Sequence, residues 1–218
     1  MKFLAEACQK IEQSEIKPSA WIFDFDNTLF ASGRQIFPLI SERMSQYIER
    51  HLCVDRIEAN RLRKLYWDKY GATLTGLVRH HAVDSKDFLK KTHDIVELDS
   101  LTYRSSRLRW VFRQLSGKKI IFSNSPSVYL EKMLRLLGIR HLLDGTFSIE
   151  STNLNPKPSM IGFRKVLKIH RLEAKRCVMV EDSLINLFSA KRLGMKTILV
   201  TNELNQHNWV DAKVRQLY

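Results

Sequence analysis

The feature that most constrains this chain is a short apolar run that ends in two acidic residues. A strand is predicted over residues 21–25, because a continuous aromatic and aliphatic run leaves no polar face and is typical of a buried parallel strand. Asp24 and Asp26 lie at its end, and buried carboxylates need a metal ion, hydrogen-bond donors or a shared proton. Because α/β folds bind ligands at the carboxyl ends of parallel strands, the run predicts an acidic site there. A simple acidic turn after the strand is the alternative.

Composition excludes several other classes of protein. The 218 residues suffice for a full core, and 44% hydrophobic with 27% charged residues is ordinary for a globular protein. No apolar run approaches the roughly 18 to 20 residues of a membrane helix, and the N-terminus, with Glu6, does not resemble a signal peptide. Cys8, Cys53 and Cys177 are widely spaced and lack a CxxC pattern. We therefore expect free thiols in a cytoplasmic protein, without a disulfide framework or a zinc site.

The positive charge of the chain is unevenly distributed. The formal net charge is +13, and residues 101–180 hold 16 basic and 4 acidic side chains, a surplus of 12. Such a surplus can attract anionic substrates or nucleic acid. Four arginines, however, recur at helical spacing opposite apolar residues, which indicates a solvated helix face; they are Arg104, Arg107, Arg109 and Arg113. The sequence contains no basic strand interleaved with aromatic residues, which is the pattern that favours a nucleic-acid-binding surface. Nucleic acid is therefore the less favoured partner.

Residues 34–96 show a helical period throughout, without a convincing strand. Helices are predicted over 36–51, 55–70 and 73–82, and a fourth runs to residue 96. Asp55 and Asp84 are predicted N-caps, and Gly71 follows the second helix as a stop signal. This pattern predicts an all-helical unit inserted after the first strand.

From residue 101 onward, strands and single helices alternate. Strands are predicted over 118–123, 146–149, 176–180 and 196–200, and a further helix is expected in the N-terminal 18 residues. Strands separated by single helices imply a parallel sheet with helices on both faces. The predicted fold class is therefore α/β, with an inserted helical bundle.

Polar side chains follow the predicted strands. A parallel sheet brings such strand ends to one crevice. Carboxylates there can hold a divalent cation, while a lysine and hydroxyl groups balance phosphate charge, so the inventory suits phosphoryl transfer. The residues concerned are Asp24, Asp26, Thr28, Ser123, Asn124, Lys157, Glu181 and Asp182.

The order of these motifs resembles that of the haloacid dehalogenase (HAD) superfamily. Asp-x-Asp-x-Thr is followed by Ser-Asn, Lys-Pro and Glu-Asp-Ser, and the helical insertion lies in the gap where that superfamily carries an α-helical cap. The resemblance covers residues 21–200. It implies a Rossmann-like core formed by residues 1–32 and 98–218, with a parallel sheet flanked by helices, and a helical cap formed by residues 33–97.

The resemblance also implies catalytic roles. Asp24 would be the nucleophile that forms an aspartyl-phosphate. Asp26 would protonate the leaving oxygen and then activate water, and its presence favours a phosphatase, since dehalogenases of the superfamily lack an acid there. Thr28, which we group with the phosphate-binding residues, would hold Asp26 in position.

Ser123 and Lys157 would bind the phosphoryl group, with Asn124 alongside. Read from the residues alone, Lys157 could instead be a surface lysine between two prolines, and Ser123 could cap the next helix.

The cofactor implied by the resemblance is Mg²⁺. Its ligands would be Asp24, Asp182 and the backbone carbonyl of Asp26. Glu181 stands where relatives often have a second aspartate, and both a direct and a water-mediated contact with the metal are open.

The predicted cap contains a distinctive string over residues 70–77, Tyr-Gly-Ala-Thr-Leu-Thr-Gly-Leu. It resembles the Tyr-Gly-x-x-x-x-Gly-Leu string of the pyrimidine 5′-nucleotidase branch, which implies a nucleoside monophosphate as substrate. Gly71 and Gly76 would let the backbone approach the ligand, and the hydroxyls of Thr73 and Thr75 would contact its polar edges. The alternative is a helix stop at Gly71 with close packing at Gly76.

Two further functions are compatible with the sequence. The same parts would serve a sugar-phosphate phosphatase or a β-phosphoglucomutase-like enzyme. A protein of a different class, which binds RNA or a protein partner on the same scaffold, would use the basic surplus. The intact set of Asp24, Asp26, Lys157 and Asp182 argues against that last interpretation.

Overall fold

The computed structural model describes residue 11 and residues 17–31, 35–102, 104–203 and 207–215. These residues form one six-stranded sheet with the order β3-β2-β1-β4-β5-β6, and every strand pair in it is parallel. The central position of β1, between β2 and β4, brings the polar ends of these three strands together. The strands are β1 (Ala20–Phe23), β2 (Lys118–Phe122), β3 (Gly145–Phe147), β4 (Cys177–Glu181), β5 (Lys196–Val200) and β6 (Ala212–Val214).

Nine α-helices lie within the described residues, and the first four form the insertion after β1. These four are α1 (Ile36–Leu52), α2 (Arg56–Tyr70), α3 (Thr73–His81) and α4 (Ser85–His93). The other five flank the sheet and are α5 (Leu98–Leu101), α6 (Ser106–Gln114), α7 (Ser127–Leu136), α8 (Met160–His170) and α9 (Leu184–Arg192). The α/β fold with an all-helical cap is confirmed.

The two faces of the sheet bury separate apolar clusters. Phe23 packs with Phe112 of α6 on one face, and Ile22 packs in the cluster that holds Phe163 of α8 on the other. All four residues of β1 are fully buried. Burial on both faces is the reason why the strand sequence carries no polar side chain before Asp24.

Three predicted helix-end signals in the cap are confirmed, although the fourth helix ends at His93 rather than at residue 96. Asp55 caps α2 by accepting a hydrogen bond from the N–H of Glu58, and Asp84 caps α4 by accepting from the N–H of Asp87. Gly71 ends α2 with φ at +79°, a left-handed conformation that favours glycine.

The cap packs against a loop of the core. The cap cluster includes Tyr66 and Phe88, and two core residues that follow β3, Ile149 and Leu154, join it. The cap is therefore in apolar contact with the loop that leads to Lys157.

The basic helix face is confirmed for two of the four arginines, whereas Arg104 lies before α6 and Arg109 is only partly exposed. In α6, Leu108 and Phe112 are buried, whereas Arg107 and Arg113 are exposed. The arginine spacing is thus explained by the amphipathic character of this helix.

Several strand ends differ from the predictions. β1 ends at Phe23 rather than at residue 25, because the chain turns directly after it, and β3 spans 145–147 rather than 146–149. The short edge strand β6 was missed, since three residues that include Lys213 show no apolar period.

Three expectations fall wholly or mainly outside the described residues. They are the N-terminal helix, the domain boundary at residues 32 and 33, and the state of Cys8. Of the N-terminal 18 residues, the structure describes only residues 11, 17 and 18. The other two cysteines, Cys53 and Cys177, are free, as expected. In the described part of the chain, no helix combines the length and the apolar character needed to cross a membrane.

Candidate active site

Asp24 lies directly after β1, where the sheet ends and the site begins. Its N–H donates to the carbonyl of Val180 in the neighbouring strand β4, at 2.9 Å. Phe25 is fully buried, and Leu29 N–H donates back to its carbonyl, so the chain folds into a compact turn. The apolar Phe25 thereby anchors the loop that carries Asp24 and Asp26 on either side of it.

Lys157 lies at the centre of a buried ion-pair group. Its Nζ donates to Asp24 Oδ1 and to Glu181 Oε2, each at 2.6 Å. Lys157 is 2% exposed, Asp24 6% and Glu181 1%. The interpretation of Lys157 as a surface lysine is therefore wrong.

The electrostatics of this group reflect its burial. Burial, followed by the charge of Glu181, raises the pKa of Asp24 to about 7, although Lys157 opposes the shift. Burial likewise raises the pKa of Glu181 to about 7, and it raises that of Asp182, with the charge of Asp24 adding to it. Burial alone would lower the pKa of Lys157, but the charges of Asp24 and Glu181 outweigh it and raise that pKa.

Three carboxylates are close enough to share one cation. Asp24, Glu181 and Asp182 each offer an oxygen, and these oxygens lie within 4.8 Å of one another. With all three ionised, the single ammonium group of Lys157 leaves two negative charges, which one divalent cation would balance. Oxygen donors are the ligands that Mg²⁺ prefers, so the residues fit this ion.

Glu181 differs from the other two acids in its contacts. Its Oε2 accepts from Lys157, and its Oε1 accepts from the N–H of Ser183 at 3.2 Å. Both of its oxygens are thus bound by the protein, and Glu181 anchors the lysine.

Thr28 contacts a different acid from the one expected. Its Oγ1 donates to Asp182 Oδ1 at 3.3 Å, whereas the expectation was that it would steady Asp26. The reason is topological: the turn after Phe25 brings Thr28 to the end of β4, where Asp182 lies. Thr28 therefore orients an acid of the three-carboxylate group.

Asn124 fixes the backbone on both sides of the Lys157 residue. It accepts from the Lys157 N–H at 2.8 Å and donates to the Lys157 carbonyl at 3.0 Å. A longer contact of 3.5 Å reaches the carbonyl of Gly71 in the cap. Its amide was expected beside the phosphoryl group, but in the structure it positions the lysine.

Ser123 is buried at the end of β2 and does not cap the next helix. Its Oγ accepts from the N–H of Ser125 at 3.0 Å, while α7 begins only at Ser127. Its hydroxyl stands at the same edge of the sheet as Asp24.

Asp26 is contacted by two residues to which sequence reasoning assigned no role. Ser125 Oγ donates to Asp26 Oδ2 at 2.6 Å, and the Tyr129 hydroxyl donates to Oδ1 at 3.1 Å. Burial raises the pKa of Tyr129 well above its usual value, so the phenol remains a donor. Ser125 lies two residues before α7 and Tyr129 in its first turn, so no helical spacing in the sequence pairs them.

The four cap residues expected to contact substrate fall into different environments. Thr73 is buried and donates to the carbonyl of Arg63, and a Cβ at Gly76 would lie 2.1 Å from the ring of Tyr66. Both residues therefore pack inside the cap. For Gly76 this is the close packing that the alternative interpretation of the string predicted.

The other two cap residues differ from this pair. Gly71 lies against the core, since a Cβ there would lie 2.4 Å from the carbonyl of Lys157. The Oγ1 of Thr75 is buried and has no hydrogen-bond partner among the described residues.

Comparison with known proteins decides the family. The model of the haloacid dehalogenase-like hydrolases matches residues 21–200, which include every residue of the site. The chain belongs to this family. The site described above is thus the acidic strand-end site of a HAD-like hydrolase.

Solved HAD structures share the fold. A HAD phosphatase from Thermococcus onnurineus superposes with a TM-score of 0.63 at 22% identity, covering 92% of this chain and 94% of that one. A 2-haloacid dehalogenase from Pseudomonas syringae pv. Tomato DC3000 gives 0.58 at 16% identity, covering 93% and 95%. At these identities the similarity shows the fold alone.

A curated relative matches part of the chain. Phosphate metabolism protein 8 of Saccharomyces cerevisiae is 27% identical over an alignment of 146 residues, and the match covers 62% of this chain. The match covers 45% of that protein, so it spans less than half of the relative's length.

Proposed function

We propose that this HAD-like hydrolase is a phosphomonoesterase that works through an aspartyl-phosphate on Asp24. The observation that carries the proposal is the pairing of a lysine-bound Asp24 with a second acid, Asp26, held by two hydroxyl groups. A nucleophilic carboxylate and a separate proton donor are the two groups that phosphoryl transfer to and from an enzyme requires.

The proposed reaction has two steps. In the first, an Asp24 oxygen bonds to phosphorus while the bond to the leaving oxygen breaks, and Asp26 gives its proton to that oxygen. In the second, water attacks phosphorus while the Asp24–phosphorus bond breaks, and the proton of the water returns to Asp26. Inorganic phosphate leaves, and both carboxyl groups regain their starting state.

The remaining residues of the site bind charge. Lys157 and Ser123 would contact the phosphoryl oxygens, because both lie at the sheet edge beside Asp24. Mg²⁺ would be held by Asp24, Asp182 and the backbone carbonyl of Asp26. Glu181 would bind the ammonium group of Lys157. The ion would supply positive charge to the phosphoryl group.

For the substrate, we propose a nucleoside 5′-monophosphate, with a pyrimidine base favoured, in a cytoplasmic enzyme. Two observations support it: the string over residues 70–77, and its position against the site, since Gly71 touches the Lys157 carbonyl. The hydroxyl of Thr75 has no hydrogen-bond partner in the described part of the chain, and we propose it as the side-chain contact that this string makes with the ligand. Thr73 and Gly76 are used for packing, so the proposal does not rest on them.

The test is phosphate release from a panel of monophosphates with Mg²⁺ and with EDTA. The panel contains UMP, CMP, dUMP, dTMP, AMP, GMP, sugar phosphates and flavin mononucleotide. Magnesium-dependent release that favours UMP or CMP would support the whole proposal. Preference for a sugar phosphate would reject the nucleotidase assignment alone, and no release from any substrate would reject the phosphatase.

A further inference from the structure

Two residues that donate to the Asp26 carboxyl group lie in a single segment of the core, which begins after β2. Ser125 Oγ lies 2.6 Å from Oδ2, and the Tyr129 hydroxyl lies 3.1 Å from Oδ1, so each oxygen has its own donor. Two donors on different oxygens fix the plane of a carboxyl group, which a single donor does not.

Both donors are themselves fixed. Ser125 N–H donates to Ser123 Oγ, and the Ser125 carbonyl accepts from the N–H of Ile149. The start of α7 is fixed as well, because the N–H and hydroxyl of Ser127 both donate to the Glu150 carboxylate. The segment that carries the two donors is thus tied to the loop after β3.

The phenol ring of Tyr129 has little room to swing. The residue is 2% exposed, and its ring meets that of Phe25 edge-on with centroids 6.2 Å apart. On another side it meets His93, at the end of the last cap helix, with centroids 5.9 Å apart. A ring packed in this way aims its hydroxyl at one place.

Ser125 and Tyr129 differ in kind from the donor on Asp24. Asp24 is bound by a lysine, whereas these two donors on Asp26 are neutral hydroxyl groups. A hydroxyl can accept as well as donate, so it can orient a carboxyl group both with and without its proton. A lysine would favour only the ionised form.

We propose that Tyr129 is a positioning residue, which acts with Ser125 to aim the Asp26 carboxyl group at the leaving oxygen of the substrate. The inference rests on the proposed phosphatase function. It predicts that loss of the Tyr129 hydroxyl harms those substrates whose leaving oxygen must receive a proton.

The experiment compares two kinds of substrate in wild type and Tyr129→Phe. One is the best alkyl monophosphate of the panel, whose alkoxide leaves poorly without a proton, and the other is 4-nitrophenyl phosphate, whose leaving group needs none. For Tyr129→Phe we expect kcat/KM to fall about 10- to 100-fold for the alkyl substrate. For the nitrophenyl substrate we expect a change of no more than about twofold. The ratio kcat/KM is used because it reports the steps up to departure of the leaving group.

Tyr47→Phe is the matched control. The Tyr47 hydroxyl donates to the carboxylate of Asp87 at 2.9 Å within the cap, so this variant loses the same kind of bond away from the site. Tyr47→Phe should leave both kcat/KM values unchanged. Thermal unfolding of both variants checks that they fold.

A cycle with Ser125→Ala tests the shared action. If both hydroxyls orient one carboxyl group, the losses in Ser125→Ala and Tyr129→Phe should not multiply in the double variant. Multiplicative losses would overturn the shared action.

If kcat/KM in Tyr129→Phe falls equally for the two substrates, or does not fall, the inference is overturned. The phosphatase proposal would still stand in that case, provided that the wild type is active. A wild type that releases no phosphate from either substrate would instead reject the proposed function.

Discussion

The ammonium group of Lys157 lies 2.6 Å from the Asp24 carboxylate, although the two residues are 133 positions apart in the chain. The same ammonium group binds Glu181 at 2.6 Å. One buried cation thereby holds the proposed nucleophile and ties the loop after β3 to the ends of β1 and β4. The catalytic predictions and the stability predictions both depend on this group.

Replacement of the nucleophile should abolish turnover without loss of the fold. Asp24→Asn keeps the shape of the side chain, but an amide does not form the aspartyl-phosphate, so kcat should fall by a factor of about 10³ or more. The measurement is phosphate release, with circular dichroism as a check on folding. Asp68→Asn, at an exposed aspartate paired with Lys64, is the matched control and should keep full activity. Retained turnover in Asp24→Asn would reject the mechanism.

Removal of the buried cation should destabilise the protein strongly. Lys157→Met leaves Asp24 and Glu181 buried without their ammonium partner, and breaking such a pair typically costs about 3–5 kcal/mol of unfolding free energy. Adding Glu181→Gln removes one of the stranded charges and should restore part of that stability. Chemical denaturation of the two variants in EDTA measures the difference. An unchanged free energy in Lys157→Met would show that the three groups do not form a coupled unit.

Stability without metal should fall as the pH rises from about 4 to above 7. The pKa of Asp24 and that of Glu181 are raised to about 7 in the folded protein, so the folded state retains protons that the unfolded state releases. The stabilising contribution is therefore present at low pH and is lost as the pH rises through these values. Mg²⁺ binds the ionised carboxylates and should raise the melting temperature more at pH 8 than at pH 5.

The measurement is the melting temperature between pH 5 and pH 8, in EDTA and in Mg²⁺, for wild type and Asp24→Asn. Burial lowers the pKa of His93 to about 4, so the contribution of this residue to stability increases as the pH rises toward 6.5. Because both proteins contain His93, this contribution cancels in the comparison. Asp24→Asn should show a shallower decline in EDTA. Equal slopes in the two proteins would contradict the assignment to Asp24.

Gly71 and Gly194 offer a matched pair of substitutions. Both have a positive φ, +79° and +91°, so alanine at either should cost about 1–2 kcal/mol of stability. A Cβ at Gly71 would also lie 2.4 Å from the Lys157 carbonyl, whereas at Gly194 nothing lies within 4 Å. Gly71→Ala should therefore displace the lysine and lower kcat about tenfold or more, and Gly194→Ala should leave kcat unchanged. Equal kcat values in the two variants would show that the cap contact does not position Lys157.

The cap shows how far local patterns reach. Asp55, Asp84 and Gly71 predict helix ends correctly, because capping depends on hydrogen bonds within a few residues of the chain. The string over residues 70–77 was less informative residue by residue, since a match in sequence does not tell whether a threonine faces a ligand or its own helix bundle. The bond from Thr73 to the Arg63 carbonyl is a tertiary property.

The sequence by itself determined the fold class, the order of the strand-end motifs and the clustering of acids at the strand ends, because apolar periodicity and the ends of parallel strands restrict where polar groups can lie. Only the tertiary structure decided how these groups pair. Thr28 contacts Asp182, Asn124 holds Lys157, and Tyr129 reaches Asp26 from a helix 103 residues away. Such contacts join residues distant in the chain, and a hydrogen bond depends on distances of a few tenths of an ångström that no local pattern specifies.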